Sequence, residues 1–151
     1  MSLITKLESE ISNKDYFDNN ALLYINQSND NYFVKDHFSY EKWINNYKNI
    51  ASSILVRDIE KYSPHKKDYF ELYKDINVQN IHLFYNIRGG VSFKDHTDDE
   101  NVYLNVLQGF KRVYMMNSVF TVKANESIII QRKTLHRVES VPETWALSIA
   151  F

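Results

Sequence analysis

The rhythm of apolar and polar positions changes near residue 79. Before it the spacing is helical: Trp43, Tyr47, Ile50, Ala51 and Ile54 fall on one face of a helix that Ser39 is placed to cap. A second short helix is predicted within 66–74, after the break at Pro64, and strands over 21–25 and 32–34. From Gln79 onward the chain reads as strand after strand, at 79–87, 91–96, 102–108, 110–116, 119–124, 127–131, 136–141 and 144–151. Turn signals separate these runs, among them Arg88-Gly89-Gly90, Met116-Asn117-Ser118 and Ala124-Asn125-Glu126. No helical pattern interrupts them, which argues against parallel βαβ folding and for an antiparallel barrel or sandwich. The expected architecture is mainly β, a small barrel with N-terminal helices packed on its outside.

Composition narrows this picture without changing it. Only three glycines and two prolines punctuate 151 residues, so no flexible linker divides the chain. The expectation is a single domain over 1–151, with a mixed N-terminal cover at 1–78 and a β-barrel core at 79–151. Hydrophobic residues at 44% and aromatic residues at 15% suffice for a core of large side chains. A net charge of −1 gives no reason to expect a phosphate-backbone partner. The absence of cysteine removes disulfides, thiolate metal sites and cysteine nucleophiles together. The longest apolar runs, such as Ile128-Ile129-Ile130, are too short to span a bilayer as a helix. Lys6, Glu8, Glu10, Lys14 and Asp15 interrupt the first twenty residues, where a secretory signal would be apolar, so a cytoplasmic location is expected.

The candidate chemistry lies in the strand-rich half. His96 is followed two positions later by Asp98, and residues i and i+2 on a strand point the same way. His136 lies forty positions on, near the opening of a later strand, where a barrel brings distant strands into contact. Two histidines and one carboxylate on one face of a metal, with other positions open, is the arrangement of non-haem Fe(II) oxygenases. The other histidines, His37, His65 and His82, read as surface or packing residues.

From His96 the chain runs HTDDENVYLNVLQGFKRVYM, and from Asn125 it runs NESIIIQRKTLHRVES. The first stretch resembles the core of the JmjC-type, cupin-like Fe(II)/2-oxoglutarate oxygenases, and within them the asparaginyl hydroxylases of the hypoxia response. In that family a His-x-Asp pair leads into a strand, a Gly, an aromatic residue and a Lys, matched here by Gly109, Phe110 and Lys111. The second stretch is similar to the family's segment that ends in the distal His, matched by His136-Arg137-Val138-Glu139-Ser140. The terminal strand, 144–151, is similar to the family's last barrel strand. The resemblance implies a double-stranded β-helix, or jelly roll, with His96, Asp98 and His136 holding Fe(II). It also implies that Lys111 holds the distal carboxylate of 2-oxoglutarate, an anion that needs a fixed cation once desolvated.

The chain departs from the family pattern at Asn125-Glu126 (for Gly-Asp), Gln131 (for Pro), Leu135 (for an aromatic residue), Phe93 (for a hydroxyl residue) and Val102 (for a polar one). Ser92, Tyr85 and Asn105 are the candidates to supply the co-substrate hydrogen bonds displaced by these changes. The expected function is a dioxygenase using Fe(2+), 2-oxoglutarate and O2, probing a C–H bond of a protein side chain or small molecule and hydroxylating it. The N-terminal half is expected to shape the cleft and so carry specificity. Without the family's C-terminal helices, a monomer or weak dimer is expected. The alternative is a cupin-type protein that binds a metal or small ligand without oxygenase activity. Lys111 discriminates the two, since facing the metal favours a 2-oxoglutarate pocket and facing solvent favours the binding protein.

Overall fold

The computed structural model describes residues 1–14, 21–26, 32–36, 38–91 and 94–151. In chain order the elements are α1 (Leu3–Glu10), β1 (Ala21–Asn26), β2 (Tyr32–Asp36), α2 (Tyr40–Lys42, continuing as a wider π-helical turn over Trp43–Tyr47), β3 (Ser53–Val56), α3 (Ile59–Tyr62) and α4 (Lys66–Leu72). The strands that follow are β4 (Asn80–Asn86), β5 (Gly90–Val91), β6 (Val102–Gln108), β7 (Phe110–Met115), β8 (Ser118–Lys123), β9 (Ser127–Ile130), β10 (His136–Ser140) and β11 (Thr144–Ala150). Seven of the eight expected C-terminal strands are present; of the run expected at 91–96 only Val91 lies in a strand, residues 92–93 lie outside the described residues, and His96 forms an isolated bridge. The strands expected at 21–25 and 32–34 are β1 and β2.

Two antiparallel sheets face each other as a jelly roll. One has seven strands in the order β2-β1-β3-β4-β11-β6-β9, and the other has four in the order β5-β10-β7-β8. Strand alternation then sorts side chains into two hydrophobic layers. Ile81 and Leu83 of β4, with Trp145, Leu147 and Ile149 of β11, point outward and are covered by Leu7, Trp43, Ile59 and Tyr69 from the helical segments. Leu104, Val106, Val113, Met115, Val122, Ile130 and Ala146 fill the space between the sheets. No helix among the described residues is long and apolar enough to cross a membrane.

The N-terminal half adds α1, α3 and β3 to the expected elements and shortens the helix expected through Ile54. Ser39 does cap the helix, its hydroxyl accepting from the Lys42 amide at 3.2 Å. The helix stops at Tyr47, however, and Ile54 belongs to β3, paired with Leu23 and Tyr85. Arg88 accounts for the stop: its guanidinium donates to the carbonyl oxygens of Asn49 and Ala51, satisfying groups that another helical turn would have used. Ile50 is accordingly exposed rather than part of a buried stripe. Three N-terminal strands thus extend the large sheet, so the first half of the chain contributes to the barrel wall as well as to its cover. Where β3 ends, the carboxylate of Glu60 accepts the Ile81 amide at 3.0 Å and replaces the missing strand partner of β4.

The β6–β7 reversal sets the phase of Lys111. It turns on Gly109 at φ +77°, where a Cβ would lie 2.4 Å from Thr144 Oγ1 and 3.1 Å from Thr144 Cα. Gly109→Ala combines left-handed strain with that clash and is expected to cost about 2 kcal/mol or more. A fall in urea midpoint at unchanged slope is the measurement that checks it.

Candidate functional site

His96, Asp98 and His136 come together although only the first two are near in sequence. The chain leading to His96 meets the start of β10 in an isolated antiparallel bridge, His96 N–H donating to His136 O at 3.0 Å and His136 N–H to His96 O at 2.9 Å. The two imidazole rings consequently sit 4.3 Å apart between centroids. Asp98 is held by its own carbonyl, which accepts the Lys133 amide at 2.8 Å. Its carboxylate lies 3.3 Å from His136 Nε2 and 3.7 Å from His96 Nε2.

Each ring is oriented from behind. His96 Nδ1 lies 2.8 Å from the Lys94 carbonyl oxygen and His136 Nδ1 lies 2.9 Å from that of Thr134. A carbonyl only accepts, so in the neutral rings the proton sits on Nδ1 and the Nε2 lone pairs face Asp98. The three ligand atoms all lie within 4.8 Å of one another. Two imidazole nitrogens and one carboxylate, preset in tautomer, form a donor set suited to a divalent transition metal. Without such an ion the groups lean on each other. The hydrogen bond with His136 holds the Asp98 carboxyl below its ordinary range, against the opposing effect of burial. For His136, burial alone would favour the neutral form, but Asp98 and the Thr134 carbonyl outweigh it and raise the pKa.

Lys111 faces the same interior. On the β7–β10 ladder Lys111 pairs with Ser140 and Met115 pairs with His136, so all four side chains lie on the inward face. Lys111 and His136 are thus four residues apart along the ladder, about 13 Å between backbone positions. Lys111 is 3% exposed; its Nζ donates to Asn86 Oδ1 at 2.8 Å and Ser140 Oγ at 3.0 Å and lies over the Phe84 ring. Asn86 is braced in turn by Ser53, whose Oγ accepts from Asn86 Nδ2 at 2.8 Å. Burial pushes the ammonium pKa down from 10.5 to about 7. A cavity of about 550 Å³ runs between the sheets, lined by the His96, Asp98 and His136 group, by Lys111, and by Arg57, His82 and Ser148 among others.

The remaining expected site residues fall elsewhere. Tyr85 points to the opposite face of the large sheet and stacks on Trp145 at 4.0 Å. Asn105 is also on that face, accepting from Tyr73 Oη at 2.7 Å and donating to the Glu126 carbonyl. Neither lines the cavity, and a one-residue change of strand phase accounts for each. Ser92, Phe93 and His37 lie outside the described residues. His65 is near Asp68 on the helical side, as expected of a surface residue. His82 corrects the expectation made for it, because it lines the cavity. Asn86 and Ser140, the two partners of Lys111, carried no sequence motif; their signal was a polar residue on the inward phase of a barrel strand.

Of the family departures, Val102 lines the cavity, while Gln131 and Leu135 are exposed. Asn125 occupies φ +69°, a left-handed position that Asn tolerates nearly as well as the Gly it replaces.

Because the folded pKa of Lys111 lies below its ordinary value, the unfolded chain binds more protons between pH about 7 and 10.5. The unliganded protein is therefore expected to gain stability as pH rises through that window. Lys111→Met removes this contribution, and urea unfolding at about pH 6.5 and about pH 9 is expected to show a smaller pH difference in the variant than in the wild type.

No protein-family model matches the chain, and no curated protein sequence does either. Among solved structures it is similar to the Escherichia coli ribosomal oxygenase YcfD, at 11% identity and a TM-score of 0.72, covering 100% of this chain and 44% of that one. The structure of YcfD with cobalt and 2-oxoglutarate matches at 12% identity and a TM-score of 0.74, covering 100% and 44%. Its complex with cobalt and succinic acid gives 11%, 0.72, 100% and 43%. The chain therefore spans less than half the length of the enzyme it matches. What it shares with that enzyme, over all of its own length, is the fold: a cupin-like jelly-roll barrel.

Proposed function

We propose that the protein is an Fe(II)- and 2-oxoglutarate-dependent dioxygenase that hydroxylates a C–H bond of its substrate. One observation carries this reading: a two-histidine, one-carboxylate group and a buried lysine without a carboxylate partner among the described residues face one cavity. The donor set fits iron in number, chemistry and tautomer. His96 Nε2, His136 Nε2 and an Asp98 oxygen would hold it, leaving the remaining positions for 2-oxoglutarate and O2. Bound there, the iron supplies the oxidation: 2-oxoglutarate and O2 give succinate and CO2, and one oxygen atom enters the substrate C–H bond.

The chain's own residues supply binding and exclusion. Lys111 would hold the far carboxylate of the co-substrate, with Asn86 and Ser140 fixing its Nζ. The apolar wall of Val102, Leu104, Ile130 and Val138 keeps water from the space between the two ends. The inward position of Lys111 favours this reading over a cupin that merely binds a metal or small ligand. Strands β6 and β11, which contribute side chains to both hydrophobic layers, support reading 1–151 as one domain. The substrate side remains a protein side chain or small molecule, and the proposed location is cytoplasmic.

Calorimetry with Mn(II), a redox-silent stand-in for Fe(II), tests the reading. Loaded protein is expected to bind 2-oxoglutarate, metal-free protein and His136→Ala are not, and Lys111→Ala is expected to lose ten- to a hundredfold in affinity, about 1.5–3 kcal/mol. Metal uptake without 2-oxoglutarate affinity would transfer the protein to the binding-protein class. The pKa of Lys111 near 7 adds a sign: above that pH the bound dianion draws a proton onto the lysine, so affinity falls as pH rises. Binding heats above pH 7 in buffers of different ionisation enthalpy are expected to report that proton uptake.

A further inference from the structure

Beside the metal-binding group and Lys111, the cavity contains a third polar feature that neither uses. His82 sits on β4 between Ile81 and Leu83, whose side chains turn outward into the helical layer, so its own side chain turns inward and lines the cavity. Its Nδ1 accepts a hydrogen bond from the Asp58 backbone amide at 3.1 Å. An amide nitrogen can only donate, so the Nδ1 lone pair is occupied and the proton of the neutral ring sits on Nε2. The backbone is shaped for this contact, since Asp58 takes a left-handed conformation at φ +56° just where β3 gives way to α3. The ring's other backbone contact is with Ile81; by hydrogen-bond geometry Nε2 has no partner among the described residues, and it is not sealed from the cavity.

This tautomer decides what His82 can do. A protonated Nε2 has no lone pair for a metal, so His82 does not complete a four-ligand set with His96, Asp98 and His136. It remains a donor beside them, near enough that its charged form would lower the Asp98 pKa. Burial favours its neutral form, chiefly by desolvation. The wall around it is the polar side of the cavity, with Arg57 on the continuation of β3, Asn80 on β4 and Ser148 on β11.

We propose that His82 is the substrate-positioning residue of this cavity, presenting its Nε2–H to the space beside the metal-binding group, and that the substrate carries a carbonyl oxygen next to the carbon that is oxidised. This rests on the dioxygenase reading above. An apolar substrate would leave that N–H unpaired in a partly desolvated site, whereas a carbonyl satisfies it and fixes which carbon faces the metal. His82 touches neither iron nor 2-oxoglutarate in this scheme, so its loss leaves both bound.

The test uses the full chain loaded with Zn(II), a diamagnetic stand-in, and saturated with 2-oxoglutarate. Long-range proton–nitrogen NMR is expected to show His82 with a protonated Nε2 and an unprotonated, accepting Nδ1. N-methylacetamide, used as the carbonyl probe, is expected to shift that Nε2–H resonance and to perturb the backbone amides of Asn80 and Ser148. His82→Phe is expected to weaken probe binding five- to tenfold while Zn(II) and 2-oxoglutarate affinities stay unchanged. His82→Gln, which keeps both an acceptor for Asp58 and a donor for the cavity, is expected to restore most of it. An Nδ1-protonated ring, or unchanged probe affinity in His82→Phe, would overturn this assignment while leaving the dioxygenase reading standing. Loss of Zn(II) affinity in His82→Phe would make His82 a ligand and overturn it as well. Failure of the wild type to bind Zn(II) or 2-oxoglutarate would overturn both.

Discussion

A buried ammonium group with only neutral oxygens around it is the constraint on which the rest of this barrel turns. Lys111 is 3% exposed, and its partners are the amide oxygen of Asn86 and the hydroxyl of Ser140. Neither carries charge, so desolvation is not recovered and the ammonium pKa falls to about 7. A core evolved for stability alone would place a Leu or Met there. Retaining the lysine makes sense if an anion arrives to complete the pair, and the cavity leaves space for one between Lys111 and the histidines. The unliganded state is thus the less favourable one for this residue, and ligand binding removes the strain.

Register converts that single residue into a site. The β7–β10 pairing sets Lys111 opposite Ser140 and Met115 opposite His136, so the cation and one metal-binding ring occupy the same face at fixed separation. The second ring is added by backbone rather than by side-chain contacts, through the paired amides of His96 and His136. Both Nδ1 atoms then meet carbonyl oxygens two residues earlier in the chain, at Lys94 and Thr134. The same local turn is used twice, and it presets both tautomers before any ion is present. Gly109 and Gly89 protect this register: a Cβ on Gly89 would lie 2.7 Å from the Ser140 carbonyl, on the residue that steadies Lys111.

Much of this was legible in the sequence because it depends on period and spacing. Strand boundaries in the C-terminal half follow turn residues that need positive φ, such as Asn117, Asn125 and Gly109. The residues grouped by motif, His96, Asp98, His136 and Lys111, do line one cavity. What was not legible depends on phase and on tertiary partners. Tyr85 and Asn105 each stand one position away from an inward residue, Asn86 and Leu104 or Val106, and phase within a seven-residue strand is set by the whole ladder. Ile54 matched a helical stripe by chance of spacing; what moved it into β3 was pairing with β1 and β4 and the capture of two carbonyls by Arg88, contacts made across 30 or more residues.

That relocation has a functional consequence. As a covering helix, the segment through Ile54 would have touched only the outer layer. As a strand it joins the barrel, and its inward residues Leu55 and Arg57 become part of the cavity wall. Two residues past that strand lies Asp58, whose amide reaches His82, and the helix that follows supplies Glu60 to the end of β4. The Ile81 amide of β4 is thus satisfied by Glu60 of the connection, and the Asp58 amide of the connection by the His82 side chain of β4. At β3 the N-terminal half thus joins the same sheet as the C-terminal strands β4, β11, β6 and β9. The C-terminal half holds His96, Asp98, His136 and Lys111, and the segment just past β3 donates the Asp58 amide to the histidine that faces them. Lys111 and His136 thus face the cavity from the four-stranded sheet, and His82 faces them from the seven-stranded sheet that β3 extends.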